Sequence, residues 1–428
     1  MITAAPLGLY LHIPWCPTRC IYCDFNTYVE GEASLKTHYH AALRREILQT
    51  GAVLERPQLD TIFIGGGTPT TLPPAALLEL VETVKTAFAL RPGAEVTVEA
   101  NPGTLSVEYL RELRQGGINR LSLGVQSFND DELRFLSRLH DAAAARCAVE
   151  QTRAAGFDNL SLDLIFNLPQ QSLAQWQANL EAAIELEPDH LSLYSLIVEP
   201  GTPLHRQVAG GQIPWPDDDL AADMYAYALD SLEAAGYSHY EISNWAKANV
   251  EADWQTPHLA SAHNLIYWRN QPYLGLGAGA YGTINSQPSN PPIFQPFDFA
   301  QDRPSNLPTF QPSLRWMNVK RPQTYIERIE AGAGLGAAHD EKSLETIDPE
   351  TAMAEHMLLG LRLVREGVSA AEFEARFGVS LTDRYPQAVA HGLERGLTEW
   401  AESPTGPRLR LTRQGRFLAN QAVVEFMA

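Results

Sequence analysis

Cys16, Cys20 and Cys23 put three thiols within eight positions of a 428-residue chain that holds only four cysteines. Thiolates on one tight loop are what an iron–sulfur cubane needs, and three of them would leave its fourth iron with a position open to a ligand. A structural zinc ion is the competing reading, with His12 as the fourth donor. Such sites usually draw ligand pairs from two separate knuckles, whereas one knuckle is present here. Thiols this crowded, in a chain otherwise poor in them, speak for metal and a reducing compartment rather than a disulfide framework. Downstream, Gly65-Gly-Gly-Thr-Pro-Thr70 is, taken alone, no more than a tight turn. His263 beside Tyr267 and Trp268 reads by itself as a packed aromatic cluster. Cys147, in an alanine-rich helix, reads as an inert buried thiol. His140 and His190 receive no role.

The elements that must position these residues repeat one phrase six times. Short aliphatic and β-branched runs at 7–13, 61–64, 95–99, 120–125, 160–166 and 190–196 predict buried parallel strands. Amphipathic segments at 75–88, 107–116, 141–155, 172–186 and 218–235 predict helices between and after them. Ser172 and the acidic run 217–219 stand at helix starts. Strand alternating with helix predicts a parallel α/β sheet, here a partial (β/α)6 barrel. The unusual residues fall where strands end: the cysteines after the first, the glycine loop after the second, Glu99 and Asn101 at the third. Gln126 closes the fourth, Asp163 and Asn167 mark the fifth, and 194–199 ends the sixth. In α/β barrels the carboxyl-end rim is where sites are built.

The chain divides into a barrel (1–240), an aromatic- and glycine-rich extension (241–285), a Pro/Gln-rich insertion (286–313) and a C-terminal part (314–428). The insertion has approximate self-repeats and no helical or strand period, so it predicts disorder. The C-terminal part predicts helices at 352–365, 370–377, 384–396 and 412–426 with a hairpin (397–401, 408–411) before the last, a winged-helix-like order. Its Arg408, Arg410, Arg413 and Arg416 are few, and the chain carries a formal net charge of −19, which argues against a nucleic-acid footprint. The C-terminal module is therefore read as a cap or docking surface. No signal peptide and no run of about 18 apolar residues is present, which predicts a cytoplasmic chain that does not span a membrane.

These residues carry a resemblance. Cys-x3-Cys-x2-Cys, with Tyr22 before the last cysteine, is similar to the cluster motif of the radical-SAM superfamily. The run from Gly65 to Thr70 resembles that superfamily's loop for the methionine amino group of S-adenosylmethionine (SAM). Tyr10-Leu-His-Ile-Pro-Trp-Cys16, Glu99-Ala-Asn-Pro-Gly103, Gly124-Val-Gln-Ser-Phe128, Leu162-Asp-Leu-Ile-Phe166 and Tyr240-Glu-Ile-Ser-Asn244 resemble the oxygen-independent coproporphyrinogen III oxidase family. The likeness covers most of 7–285 and resumes at Met357-Leu-Leu-Gly-Leu-Arg-Leu363; the Pro-rich insertion has no counterpart in it.

The resemblance implies a [4Fe–4S] cluster on Cys16, Cys20 and Cys23 and SAM on its open iron. It implies that Gly66, Gly67 and Thr68 meet SAM through backbone groups, glycine allowing close approach and N–H groups suiting a carboxylate. Glu99, Gln126, Arg138 and Asp163 match positions for SAM's amino, ribose or carboxylate groups, and Tyr10 would lie beside the cluster. Each has an ordinary alternative: a helix-surface charge for Arg138, a strand-end backbone partner for Gln126, plain core for Tyr10. Asp163, in an apolar strand, needs a partner, for which a ligand hydroxyl and a structural cation are comparable.

His263-Asn-Leu-Ile-Tyr-Trp268 resembles a motif of the family's heme chaperones. This implies heme, with His263 as an axial ligand and Tyr267 and Trp268 on the porphyrin face. The following segment, 273–282, carries Tyr281 where many relatives have histidine. Two functions follow. One is a heme chaperone passing heme to an acceptor protein, with room for peripheral contact with membrane-bound acceptors. The other is a coproporphyrinogen III dehydrogenase that turns propionates into vinyls with a SAM-derived radical. Phe25 in place of the oxidases' fourth cysteine, a cluster close to the start of the chain, and the His263–Trp268 motif favour the chaperone.

Overall fold

The computed structural model describes residues 5–29, 32–248, 250, 252–285, 312–332 and 336–427. The six repeats form as expected. β1 (Gly8–Ile13), β2 (Gln58–Gly66), β3 (Ala89–Ala100), β4 (Arg120–Gln126), β5 (Leu160–Phe166) and β6 (His190–Ser195) run parallel, side by side and in chain order. The connecting helices include α1 (Ala33–Val53), α2 (Pro74–Ala87), α3 (Val107–Gln115), α4 (Ala142–Ala154) and α5 (Leu173–Glu185), with α6 (Asp218–Ala234) after β6. Ser172 closes a capping box with Gln175, and Asp217 accepts from the N–H groups of Asp219 and Leu220, so the predicted starts are physically capped.

Side chains alternate across the sheet with a period of two. Leu9, Leu11, Ile62, Ile64, Val96, Val98, Leu121 and Leu123 join the main apolar core. The intervening Tyr10, His12, Thr97, Glu99, Ser122 and Asp163 belong to the opposite face, which is polar. That polar interior makes the site.

The sheet does not stop at six strands. β7 (Tyr237–Glu241) and β8 (Asn244–Lys247) form an antiparallel hairpin that pairs with β6 through β8. Helix α7 (Ala262–Trp268) is followed by β9 (Tyr273–Leu276), which returns to the other flank of β1 and pairs with it in parallel. β10 (Tyr281–Asn285), β11 (Ser313–Met317) and β12 (Glu345–Ile347) extend that edge antiparallel. Among the described residues the sheet has twelve strands, ordered β12-β11-β10-β9-β1-β2-β3-β4-β5-β6-β8-β7.

The Pro-rich insertion lies outside the described residues except for its last two positions. The boundary read at 314 moves: Leu314, Trp316, Tyr325 and Ile329 pack in the main core, and a second core begins at Ile347. That second core gathers α8 (Pro349–Gly360), helices Ala370–Phe377 and Pro386–Glu394, and a small antiparallel sheet. Its strands β13 (Val368–Ser369), β14 (Thr398–Ala401) and β15 (Arg408–Leu411) are ordered β13-β15-β14. The final helix is broken at Leu418 into Arg413–Phe417 and Ala419–Val424. The module docks by ion pairs: Arg410 Nη1 meets Asp253 at 2.7 Å, and Arg413 reaches Asp230. Arg410 is thus largely covered in this contact, while Arg413 makes its pair at the surface.

Cys147 is exposed, not buried. The buried stripe of α4 runs through Ala145, Ala148, Val149 and Thr152, and position 147 falls outside that helical period. His190 is buried and bonds Ser161 Oγ at 2.8 Å and Tyr240 Oη at 2.9 Å, while His140 meets the Val125 carbonyl at 3.0 Å. No helix among the described residues is long and apolar enough to cross a membrane.

Candidate functional site

The loop after β1 is held by short backbone ties. Trp15–Cys16 pairs in parallel with Tyr28–Val29, Cys23 N–H donates to the Cys20 carbonyl at 3.2 Å, and Arg19 clamps the Cys23 carbonyl. Its three cysteines are free and half-buried, and all line one cavity of about 640 Å³ at the carboxyl ends of the strands. Each sulfur has one weak polar neighbour: Thr68 Oγ1 at 3.6 Å from Cys16, Arg138 Nη1 at 3.5 Å from Cys20, Thr27 Oγ1 at 3.9 Å from Cys23. Burial pushes the Cys16 thiol up to about 11 and raises that of Cys23, so a metal must displace protons to bind.

Among the described residues no three His, Cys, Asp or Glu side chains converge on one metal ion. A cubane makes a different demand, since each thiolate binds its own iron. His12, the fourth donor of the zinc reading, has both ring nitrogens engaged: Nδ1 with Tyr10 Oη at 3.0 Å and Nε2 with the Asn26 carbonyl at 2.9 Å. Burial lowers its pKa to about 4, keeping it neutral. Among the described residues the donor set is three thiols with no fourth protein ligand converging on them, which fits an open-iron cluster better than closed zinc.

Gly66, Gly67, Thr68, Glu99, Gln126, Arg138 and Asp163 all line this cavity with the cysteines. Tyr10 does not; it lines a second cavity, described below. The glycine loop works differently from expectation. A Cβ on Gly66 would sit 2.4 Å from the His12 ring, and one on Gly67 would sit 2.5 Å from the Trp15 carbonyl. The glycines let the loop cross the cluster strand. Its N–H groups are engaged internally, Gly66 to Glu99 Oε2 at 2.9 Å, Gly67 to the Ile13 carbonyl at 2.8 Å and Thr68 to the Trp15 carbonyl at 2.7 Å. These three N–H groups therefore already have partners within the chain, one of them the Glu99 carboxyl group.

Arg138 is no surface charge: Nη2 donates to Asn101 Oδ1 at 2.5 Å and to the Gly124 carbonyl at 2.6 Å, beside Cys20. Asn101 also donates to Thr68 Oγ1 at 2.8 Å, tying the rims of β2, β3 and β4 together. Sequence reasoning marked Asn101 only as a strand-end residue, and this two-way clamp was its missing role. Gln126 closes β4 at φ 68°, a left-handed conformation uncommon outside glycine, where the pairing with β5 shifts register. Within the chain, serines meet Asp163: Ser122 Oγ at 3.0 Å and Ser161 Oγ at 3.3 Å donate to it. Burial still raises its pKa.

Glu99 carries a testable signature. Burial pushes its pKa to about 7, against the Gly66 N–H that lowers it, with Asp163 raising it further. A folded value above the unfolded one helps the fold at low pH, and that help is lost as pH rises through about 7. Glu99→Gln should therefore abolish a pH-dependent component of about 3 kcal/mol. In urea unfolding of the apo chain, wild type should lose that much stability relative to the variant between about pH 4.5 and 7.5. A difference that stays flat over this range refutes the assignment.

The second cavity, about 700 Å³, shares Asp24, Phe25, Gly66 and Glu99 with the first. Phe25, 65% exposed, stands at their junction. Tyr10, Tyr267, Trp268, Tyr273 and Tyr281 give this cavity aromatic walls, with Arg315 and Lys320 among its polar residues. His263 is not one of its lining residues. It is buried with both nitrogens bonded, Nδ1 to Thr61 Oγ1 at 2.7 Å and Nε2 to Tyr267 Oη at 2.8 Å, and its ring stacks on Phe63 at 5.1 Å. In this arrangement the imidazole sits as the packed aromatic cluster would have it, and Thr61, 202 positions away in sequence, supplies the partner that fixes it inward. Trp268 lies under the Arg362 guanidinium at 4.3 Å.

Comparison with known proteins agrees with this geometry. Residues 10–183 match the family described as the Radical SAM superfamily, and 347–418 match the HemN C-terminal domain. The protein named "Heme chaperone HemW" of Bacillus subtilis is 36% identical over 422 residues, covering 98% of both chains. Its namesake in Escherichia coli is 39% identical over 286 residues, 66% of this chain and 72% of that one. Among solved structures, the coproporphyrinogen III oxidase of Escherichia coli, titled a radical SAM enzyme, superposes with TM-score 0.76 at 21% identity, covering 99% of this chain and 90% of that one.

Proposed function

Because this chain belongs to the radical SAM superfamily and, within it, to the family of the HemW heme chaperones, we propose that it binds heme and hands it to an acceptor protein. On this reading Cys16, Cys20 and Cys23 hold a [4Fe–4S] cluster in the first cavity, with SAM beside it. When bound, that pair supplies a low-potential electron donor and a sulfonium that can be cleaved. The chain's own residues orient and tune. Arg138 sets a positive charge next to Cys20, with Nη1 3.5 Å from its sulfur. Asn101 and Gly124 fix that guanidinium in place. Glu99 and Asp163 give the cavity two buried carboxyl groups, suited to a ligand's ammonium and ribose hydroxyls. With its N–H groups turned inward, the glycine loop contributes to a ligand through its carbonyl edge, which fits an ammonium.

The second cavity is the heme site on this reading. The observation that carries it is an aromatic-walled space within the roughly 300–1,000 Å³ of small-molecule sites, contiguous with the cluster cavity and bearing Arg315 and Lys320 for propionates. Arg315 is held by Glu355 at 2.7 Å, so a propionate would compete with that carboxylate.

Two measurements test the function together. Hemin titrated into anaerobically reconstituted protein should give saturable binding and be released to an apo-heme acceptor. Incubation with SAM, reductant and coproporphyrinogen III should give no protoporphyrinogen above background; efficient conversion removes the chaperone reading in favour of the dehydrogenase.

A further inference from the structure

The residues that suggested a heme motif are arranged so that the imidazole is inside and a phenol is at the cavity wall. His263 is neutral and enclosed, its pKa lowered by burial to about 3. A neutral imidazole has one N–H and one acceptor nitrogen. Its two partners are both hydroxyls, Thr61 Oγ1 on Nδ1 and Tyr267 Oη on Nε2. In one tautomer Thr61 donates to Nδ1 and Nε2–H donates to the Tyr267 oxygen. The phenol's own proton then points elsewhere. Tyr267 lines the second cavity, packs edge-on against Tyr273 at 4.6 Å, and lies close enough to Glu99, which also lines it, to feel that carboxyl group's charge.

We infer that Tyr267, not His263, is the ligand this chain offers to the iron of a ferric heme, with His263 as the positioning residue that donates Nε2–H to the ligating oxygen. The inference rests on the heme reading above and deepens it. Tyrosinate is a known proximal ligand to ferric heme, and a hydrogen bond to the bound oxygen tunes its basicity. The step balances without any change of oxidation state. Hemin's axial hydroxide takes the Tyr267 proton and leaves as water, while the phenolate oxygen forms the bond to iron. His263 stays neutral and in the same tautomer throughout, and Thr61 holds it there.

The test is hemin binding to the full, cluster-loaded chain, read by absorption, resonance Raman and hemin transfer to apomyoglobin. Wild type should show the tyrosinate-to-iron charge-transfer band and its Raman phenolate modes. Tyr267→Phe should lose both and release hemin roughly tenfold faster or more. His263→Ala should keep the phenolate modes with a shifted band and release hemin faster. His263→Gln, whose amide N–H can still donate, should restore the wild-type position. Axial nitrogen ligation in wild type that vanishes in both His263 variants and survives in Tyr267→Phe overturns the inference. Wild type that binds hemin with a spectrum indifferent to Tyr267→Phe also overturns it, leaving heme binding intact. Failure of wild type to bind hemin at all sinks this inference and the parent reading together. Retained cluster absorption and unchanged circular dichroism in each variant exclude misfolding as the cause.

Discussion

Serine at Cys16, Cys20 and Cys23 together is expected to leave anaerobically reconstituted protein with no bound iron and no sulfide-to-iron absorption, while the chain still folds. The reasoning has two halves. The sulfurs are the only soft donors at the first cavity: the remaining cysteine, Cys147, lies on the exposed side of α4. His12 cannot replace a thiolate without losing Tyr10 or the Asn26 carbonyl. So, among the described residues, no other thiolate is at hand in this cavity to substitute. The other half concerns the apo fold. The cysteines make only long polar contacts of 3.5 to 3.9 Å and are half-buried, whereas the core beneath β1 is built by Leu9, Leu11 and Ile13. Serine is close in shape, so urea stability of the apo form should change by about 1 kcal/mol or less per site. Iron retained by the triple variant, or zinc found in the wild type in its place, would defeat the cluster assignment.

A second large effect is expected where the C-terminal module meets the barrel edge. Glu241, at the end of β7, is fully buried, and burial raises its pKa even though Arg362 opposes this. Arg362 Nη2 reaches its Oε2 at 3.2 Å and the same guanidinium covers Trp268 at 4.3 Å, while the Arg362 carbonyl accepts from Ile242 N–H. Arg362→Met should destabilise the apo chain by about 3–5 kcal/mol at neutral pH, because a carboxylate is left buried without its cation. The loss should shrink as pH falls and Glu241 takes up a proton. Adding Glu241→Gln should recover part of it, so that the double variant is less impaired than the sum of the singles. A loss below about 1 kcal/mol would mean that the pair contributes no more than an exposed one.

What could be read in the sequence follows from how local each cause is. β1 to β6 announce themselves because each carries a short run rich in aliphatic residues, and capped helices follow several of them. The cysteine trio and the strand-end residues Glu99, Gln126, Arg138 and Asp163 converge because a parallel sheet brings every strand's carboxyl end to one rim. Long-range partners left no such trace. α1 scatters Lys36, His38, His40, Arg44 and Arg45 among its apolar positions with no strong one-sided pattern, and it packs on α2 as well as on residues 322–331 and β9, which lie far along the chain. β9 is four residues with a glycine in the middle and gains its strand character from β1. The inward turn of His263 depends on Thr61, and the internal bonding of the glycine loop depends on the carbonyls of Ile13 and Trp15. None of these is a spacing in the sequence.

The place of β9 has a consequence for biogenesis. β1 leaves the ribosome well before β9 beside it, and one of its two hydrogen-bonding edges is completed only by Tyr273–Leu276. At ordinary rates of translation, about 5–20 residues per second, that edge stays open for roughly ten seconds to a minute. A naked aliphatic strand edge is a template for unwanted pairing between nascent chains. The loop that carries Cys16, Cys20 and Cys23 follows this strand, so its framework is complete only once residue 276 has been made.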